Sequence, residues 1–393
     1  MTGALEDLVA GERVLVLVPD RTRDVDLAHL FPGLLAALGR AARVDVMVAL
    51  GTHPPMGQDD VADMLGLAAG PHPPLVGIED HDWRSPGALA RLGVVSAGRL
   101  REVAGPTWHP SLGGDLVIRV NRRVVEADRV VVLGPVLPHE VAGYSGGAKY
   151  LFPGVSGPEM IDVMHWLGAL SGVLATIGVA RTPVRALIEE AAALLEVPVT
   201  LVGVATDEGG TVGLHVGGEG AWAACAEQAA EHHTRWLDRP YDLVISNPMP
   251  IYGELWTAGK AMYKLEPAVA DGGRLVIYAP ALDQVSRTHG EDIFRVGYHP
   301  LAYFLAQWDR FSHEPLAVMA HSSHVKGAGT YDASTATEVP RIDVALASAL
   351  SPEDCRRLNL SYVDPRSVDL EQARRDGALV VERSGEVLYR VRN

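Results

Sequence analysis

Residues 13–56 read RVLVLVPDRTRDVDLAHLFPGLLAALGRAARVDVMVALGTHPPM and set the fold of the first part of the chain. Within this stretch, residues 13–18 and 44–50 are short apolar runs, which predict strands that are buried on both faces. Residues 27–38 lie between them and have the apolar spacing of a helix. A polar loop follows each strand. This alternation predicts an α/β fold with a mainly parallel sheet.

The same reasoning extends to the rest of the chain. Further strands are predicted at residues 71–77, 115–120, 122–126, 129–133, 199–204, 241–246, 273–278 and 315–320, and a hairpin at 378–391. Further helices are predicted at residues 58–67, 158–166, 183–195, 220–236 and 300–308, with one more through Lys260. The pattern restarts near residue 240. We therefore expect two α/β domains, a cofactor-binding and catalytic domain at 1–238 and a smaller one at 239–393, with the active-site cleft between them.

Composition limits the classes of function. The 393 residues carry a net charge of -15 and no basic stripe, which argues against nucleic acid as a partner. Two cysteines in unrelated contexts fit a reducing compartment without a disulfide framework. The first residues lack the pattern of a signal peptide, and no apolar run is long enough to span a membrane. We expect a cytoplasmic protein, and the oligomeric state is left open.

A glycine-rich stretch, HEVAGYSGGAKYLFPGVSGPEMIDVMH (139–165), follows the strand at 129–133. Its glycines Gly143, Gly146 and Gly147, with Ser145, can let backbone N–H groups form an anion-binding nest. Lys149 follows in a chain that uses four lysines against thirty arginines, which suggests amine chemistry. The stretch lacks the ending of a P-loop, and no G-x-G-x-x-G follows a strand.

The loop DRTR (20–23) follows the first strand. Arg23 can form a fork for a carboxylate or phosphate, with Asp20 on a hydroxyl group. Alternatively, Asp20 or Thr22 caps the helix that follows.

Three histidines are candidates for chemistry: His53 and His139 are expected where strands end, and His165 is expected on the helix at 158–166. They can transfer protons, since the pKa of histidine is near neutral pH. They can also be three ligands of a catalytic zinc ion, or divide these two roles. Any one of them can instead be structural. Lys260 is expected to face the cleft, although an exposed helix lysine is an equally good interpretation.

The ordered motifs together resemble those of the lactate racemase family, whose members use a nickel-pincer nucleotide. The motifs are DRTR (20–23), GTHPP (51–55), the strand and Pro-His element at 130–139, GYSGGAKYLFPG (143–154) and His165. The resemblance spans most of residues 13–170 and implies that the cofactor is a pyridinium-3,5-bisthiocarboxylic acid mononucleotide.

The resemblance also implies a role for each matching residue. Lys149 holds the position of the lysine that is covalently joined to the cofactor, and His165 that of the nickel ligand. His53 and His139 match the acid/base pair that flanks the substrate. Arg23 and Lys260 match the cations that bind the substrate carboxylate. The remaining cofactor contacts are expected at Asp20, Thr22, Gly143, Ser145, Gly146 and Gly147.

One departure concerns the substrate. Just before the lysine that Lys260 matches, the family is expected to have Tyr and Gln, whereas this chain has Trp256 and Thr257. These side chains shape the substrate pocket, so a bulkier, aromatic or polyhydroxy 2-hydroxy acid fits at least as well as lactate.

The function that the resemblance implies is racemisation or epimerisation at C2 of a 2-hydroxy acid. Hydride removal would give a planar 2-keto acid, and a histidine on each face would handle the hydroxyl proton. The expected partners are the substrate and the enzymes that make the cofactor. Two alternatives remain open: a zinc-dependent hydrolase that uses His53, His139 and His165, and a non-catalytic relative that binds a nucleotide.

Overall fold

A computed structural model describes residues 6–51, 53–68 and 71–392, so Thr52 of the GTHPPM loop lies outside the described residues. The strands are β1 Arg13–Val18, β2 Arg43–Val48, β3 Leu75–Asp80, β4 Leu89–Val95, β5 Leu116–Asn121, β6 Arg129–Pro135, β7 Pro138–His139, β8 Gly143–Tyr144, β9 Val199–Asp207, β10 Gly210–Gly217, β11 Thr234–Leu237, β12 Tyr241–Pro248, β13 Val269–Ala279, β14 Gly329–Asp332, β15 Thr337–Pro340, β16 Asp343–Ser348, β17 Ser361–Tyr362, β18 Leu379–Ser384 and β19 Leu388–Val391.

The helices alternate with these strands. They are α1 Leu27–Ala37, α2 Gln58–Met64, α3 Ala97–Ala104, α4 Arg122–Glu126, α5 Pro158–Ser171, α6 Val173–Thr176, α7 Pro183–Ala192, α8 Glu219–His233, α9 Leu255–Ala258, α10 Lys260–Tyr263, α11 Gly290–Val296, α12 Leu301–Ala306, α13 Trp308–Phe311, α14 Leu316–Lys326, α15 Pro352–Arg357 and α16 Leu370–Arg375. No helix in the described part of the chain is both long and apolar enough to cross a membrane.

The larger sheet contains the strands that the opening stretch predicts. Its order is β10–β9–β6–β1–β2–β3, and its neighbours run parallel except for the antiparallel pair β9 and β10. β1 and β6 lie at the centre, and the side chains of β1 from Val14 to Val18 are almost completely buried. Strands covered on both faces need apolar residues at every position, which explains why they appear as continuous apolar runs.

The second sheet is built from the later part of the chain. Its order is β17–β16–β13–β12–β18, and all its neighbours are parallel. The prediction of an α/β fold with mainly parallel sheets is therefore confirmed. The last strand of the chain contacts an element from the middle of the sequence, because β19 pairs in parallel with β11. The domain boundary between residues 238 and 239 stays a prediction.

Two predicted strands are wrong, because both segments are helical. Residues 122–126 form the short helix α4, whose first turn is capped by the Asn121 side chain accepting from the Arg123 backbone N–H. Residues 315–320 belong to α14, which is buried on all sides from Ala317 to Lys326. A helix without an exposed face shows no helical periodicity, so a short segment of it cannot be distinguished from a buried strand.

The predicted hairpin at residues 378–391 is also wrong. Two strands are present, but they do not pair with each other, since β18 joins β12 and β19 joins β11. The turn at Ser384 and Gly385 instead passes the chain from one sheet to the other. The helix predicted through Lys260 consists of two single turns, α9 and α10.

Candidate active site

A cavity of about 120 Å³ lies at the carboxyl ends of β1, β2 and β6. Ligands of parallel α/β sheets bind at this edge, because the loops that leave the strands converge there. Residues of α5, α9, α10 and α14 complete the wall. The predicted site residues that line the cavity are Asp20, Arg23, His53, His139, Ser145, Gly146, Lys149, His165, Trp256, Thr257 and Lys260.

Three predicted cofactor contacts do not line the cavity. The hydroxyl of Thr22 donates a hydrogen bond to Asp20 over 2.6 Å. Gly143 has a φ of +82°, and a Cβ at this position would lie 1.8 Å from the Val179 carbonyl oxygen. A Cβ at Gly147 would lie 3.0 Å from the Trp222 ring. These two glycines therefore let the loop pack against the rest of the protein.

Asp20 and His53 form a buried pair. His53 directs Nδ1 at Asp20 Oδ2, and Oδ1 accepts hydrogen bonds from the backbone N–H of Thr22 over 3.0 Å and from its hydroxyl. Burial raises the Asp20 pKa, but His53, Arg23 and these hydrogen bonds outweigh burial and lower it below its ordinary value. Asp20 is thus ionised and accepts a hydrogen bond from Nδ1–H, which leaves the Nε2 lone pair of His53 free as a base. Helix α1 is capped by Asp26 instead.

His139 has the opposite arrangement. Its Nδ1 accepts a hydrogen bond from the Val141 backbone N–H over 3.1 Å and a longer one from Ala142. The Glu140 carboxylate lies 3.5 Å from the same nitrogen, beyond the ordinary range of a hydrogen bond. Burial, together with the charges of Lys149 and other cations, lowers the pKa of His139 well below its ordinary value. The neutral ring therefore carries its proton on Nε2 and can donate it to a ligand.

Lys149 lies in the single helical turn Gly147–Tyr150. Its side chain lines the cavity and is partly buried. Burial and the nearby charge of Arg23 lower the Lys149 pKa to about 7, although Glu140 opposes this effect. A substantial fraction of the amine is therefore neutral and nucleophilic at physiological pH, which is the form needed for a covalent bond.

His165 projects from α5. Its Nδ1 hydrogen-bonds to the Ile161 carbonyl oxygen over 2.6 Å, which makes Nδ1 the protonated nitrogen and leaves Nε2 with a lone pair. Burial lowers the His165 pKa to about 4, so the ring is neutral. A neutral imidazole oriented by a backbone carbonyl is suited to bind a metal ion.

The zinc hydrolase alternative requires three imidazoles around one ion. Among residues 6–51, 53–68 and 71–392, no group of three or more His, Cys, Asp or Glu side chains is arranged to hold a metal ion. His53 and His139 are bound instead to Asp20 and to the Val141 backbone. The geometry supplies one candidate metal ligand from the three histidines, and no observation favours the zinc alternative.

The side of the cavity that α9 and α10 form contains Lys260, Trp256 and Thr257. The Lys260 side chain is buried, and its Nζ has no hydrogen-bond partner among the described residues. Nζ lies 4.8 Å from the centre of the Tyr252 ring. The Trp256 ring packs against the rings of His289 and His321, with centroids 4.6 and 4.1 Å apart. The Thr257 hydroxyl donates to the Glu254 carbonyl.

Five residues of the cavity wall that carry polar side-chain atoms are not predicted from the sequence. They are Glu140, Tyr150, Tyr263, His321 and His324. The pair His321 and His324 has the i, i+3 spacing that places two side chains on one face of a helix. This signal is informative only once α14 is known to be a helix.

Part of the chain matches a known domain and known proteins in sequence. Residues 2–105 and 111–176 match the lactate racemase N-terminal domain. The lactate racemase of Thermoanaerobacterium thermosaccharolyticum is 26% identical over 290 residues, which is 72% of this chain and 63% of that protein. The lactate racemase of Lactiplantibacillus plantarum is 30% identical over 165 residues, 41% of this chain and 34% of that protein. The chain thus aligns with less than two thirds of either relative.

Two solved structures extend the likeness over the whole fold. A protein from Thermotoga maritima matches with a TM-score of 0.91 and 28% identity, covering 100% of this chain and 96% of that one. The lactate racemase apoprotein from Thermoanaerobacterium thermosaccharolyticum matches with a TM-score of 0.73 and 20% identity, covering 99% and 89%. Residues 2–105 and 111–176 are therefore similar to the lactate racemase N-terminal domain, and the chain as a whole shares the fold of these two structures.

Proposed function

We propose that the chain is a racemase or epimerase that acts at C2 of a 2-hydroxy acid with a nickel-pincer nucleotide joined to Lys149. One observation carries the proposal: a base (His53), a donor (His139), a nucleophilic amine (Lys149) and a free imidazole nitrogen (His165) meet in one cavity. A zinc-dependent hydrolase that uses His53, His139 and His165 as ligands would not account for this combination. We further propose that the cavity lies between domains 1–238 and 239–393.

The side chains of the cavity fit the cofactor. The Lys149 amine can form the covalent bond because burial favours its neutral form. His165 Nε2 can bind nickel because its other nitrogen is held by the Ile161 carbonyl. When bound, the nickel-pincer nucleotide supplies a reversible hydride acceptor for C2 of the substrate. Enzymes that make the cofactor would be needed to load the protein.

Protein side chains would perform the remaining steps. Arg23 and Lys260 bind the substrate carboxylate and fix the position of C2. His53 Nε2 takes the hydroxyl proton as the hydride leaves, and Asp20 stabilises the imidazolium ring that results. The planar 2-keto acid can then receive hydride on either face.

His139 would act on the same oxygen in the opposite sense. Its Nε2–H can donate a hydrogen bond to the keto oxygen when that oxygen faces this side of the cavity. Reaction from the other enantiomer needs Nε2 as the acceptor. The ring reaches that state when its proton moves to Nδ1, and the backbone N–H of Val141 must then turn away from the ring.

The experiment is a conversion assay on protein co-produced with the cofactor-making enzymes. Single enantiomers of 2-hydroxy acids are incubated with the loaded protein, and the products are separated by chiral chromatography. We expect conversion to the opposite configuration, and a deuterium label at C2 should be retained. The variant Lys149→Arg should be inactive, because arginine keeps the charge but cannot form the bond. Conversion with loss of the label to water would contradict the hydride reaction.

A further inference from the structure

We propose that the substrate carries at least one hydroxyl group beyond C2, and that His324 determines this specificity by accepting its hydrogen bond. The inference rests on the proposed function, because it concerns the substrate of the same cavity. It is drawn from the wall that α14 and residue 140 contribute, which lies outside the motifs of the family resemblance.

His324 is an unsatisfied hydrogen-bond acceptor. The residue is 4% exposed, and the Gly168 backbone is the hydrogen-bonding group that opposes the lowering of the His324 pKa by burial. Nε2 has no partner among the described residues, so Nδ1 is the donor and Nε2 keeps its lone pair. A buried acceptor without a partner is costly, and a ligand that donates to it removes that cost. The ring also lines the cavity.

Glu140, on the neighbouring wall of the cavity, is another hydrogen-bond acceptor. Burial raises the Glu140 pKa, but backbone hydrogen bonding and the nearby charges of Lys260 and Lys264 outweigh burial and lower it. Glu140 is therefore ionised and lines the same cavity. A carboxylate and an imidazole lone pair both accept hydrogen bonds, so the ligand must supply donors, and a hydroxyl group is the donor that a 2-hydroxy acid without an amino group can supply.

The same wall disfavours other side chains. A methyl group, as in lactate, leaves the His324 nitrogen unpaired. A second carboxylate, as in malate, would lie against Glu140, while Arg23 and Lys260 are already required by the first carboxylate. An aromatic group could stack on Trp256, but that ring already packs against two imidazoles.

The test compares glycerate with lactate, which differ by one hydroxyl group. For the loaded enzyme, we expect kcat/KM for glycerate to exceed that for lactate by about tenfold or more. His324→Leu should bring this ratio close to one, and His324→Gln, which keeps an acceptor, should restore part of it. His313→Leu is the matched control, because the His313 side chain is 73% exposed, and its ratio should equal that of the wild type.

A second measurement needs no cofactor. Calorimetry of glycerate and lactate binding to the unloaded chain should give the same order of affinity, and His324→Leu should abolish the difference. If glycerate and lactate have equal kcat/KM and equal affinities, the inference is overturned. Conversion of either acid would still support the proposed function. Preferential glycerate binding without any conversion by loaded protein would support the inference as a binding preference and contradict the proposed function.

Discussion

Asp20→Asn tests the assignment of His53 as a base. The change is nearly isosteric, and the amide oxygen of the variant side chain can still accept the two hydrogen bonds from Thr22, at 2.6 and 3.0 Å. The side-chain NH2 group then faces His53 Nδ1. In the wild type, the carboxylate accepts a hydrogen bond from that nitrogen. Two donors cannot face each other, so the imidazole must carry its proton on Nε2. That nitrogen then has no lone pair and cannot act as a base.

The expected fall in kcat equals the rate acceleration that a general base contributes. A positioned general base typically accelerates a reaction by about 10²- to 10⁴-fold, so kcat should fall by about that factor with a much smaller change in KM. The assay is chiral chromatography of the loaded variant, with the mass of the protein showing that Lys149 is modified to the same extent.

Asp24→Asn is the matched control for this prediction. It removes the same charge four residues away on an exposed side chain, which is 58% accessible. Its kcat should stay near the wild-type value. A kcat for Asp20→Asn within about threefold of the wild type would refute the role of Asp20 in setting the proton position on His53.

Three further predictions follow from the same geometry. In the unloaded protein, an acylating reagent should modify Lys149 with a midpoint near pH 7, read by peptide mass spectrometry; a midpoint near 10.5 would contradict its lowered pKa. Since an unfolded Lys149 keeps its proton up to about pH 10.5, its contribution to stability should fall as pH decreases from 10.5 to 7. Gly143→Ala should lower the free energy of unfolding by about 2 kcal/mol or more in chemical denaturation, because the added Cβ meets a backbone oxygen at positive φ. Gly114→Ala, whose Cβ meets nothing within 4 Å, should have little effect. His165→Ala should lose nickel by elemental analysis and keep the modification of Lys149, and retained nickel would disprove its role as a ligand.

Much of the site follows from the sequence because it is built on the first sheet. The strands β1, β2 and β6 are buried on both faces, so they appear as apolar runs, and the loops after them carry Asp20, His53 and His139. Residues that follow parallel strands must meet at one edge of the sheet. Their convergence is therefore predictable without knowledge of the tertiary packing.

The opposite wall of the cavity does not follow in the same way. Helix α14 is surrounded by protein, so it lacks the alternation of apolar and polar residues that marks a surface helix. With residues 315–320 predicted as a strand, the helix that places His321 and His324 on one face is not recognised. The path of the chain end is equally non-local, because the turn near Gly385 resembles that of a hairpin while its strands join different sheets.

The central claim is that Lys149 carries a nickel-binding cofactor. Intact-protein mass and nickel content, measured on the wild type after co-production with the cofactor-making enzymes, test it most directly. We predict a mass increase located on the peptide that contains Lys149, with stoichiometric nickel, and neither in Lys149→Arg. An unmodified Lys149 without nickel in the wild type would contradict the account.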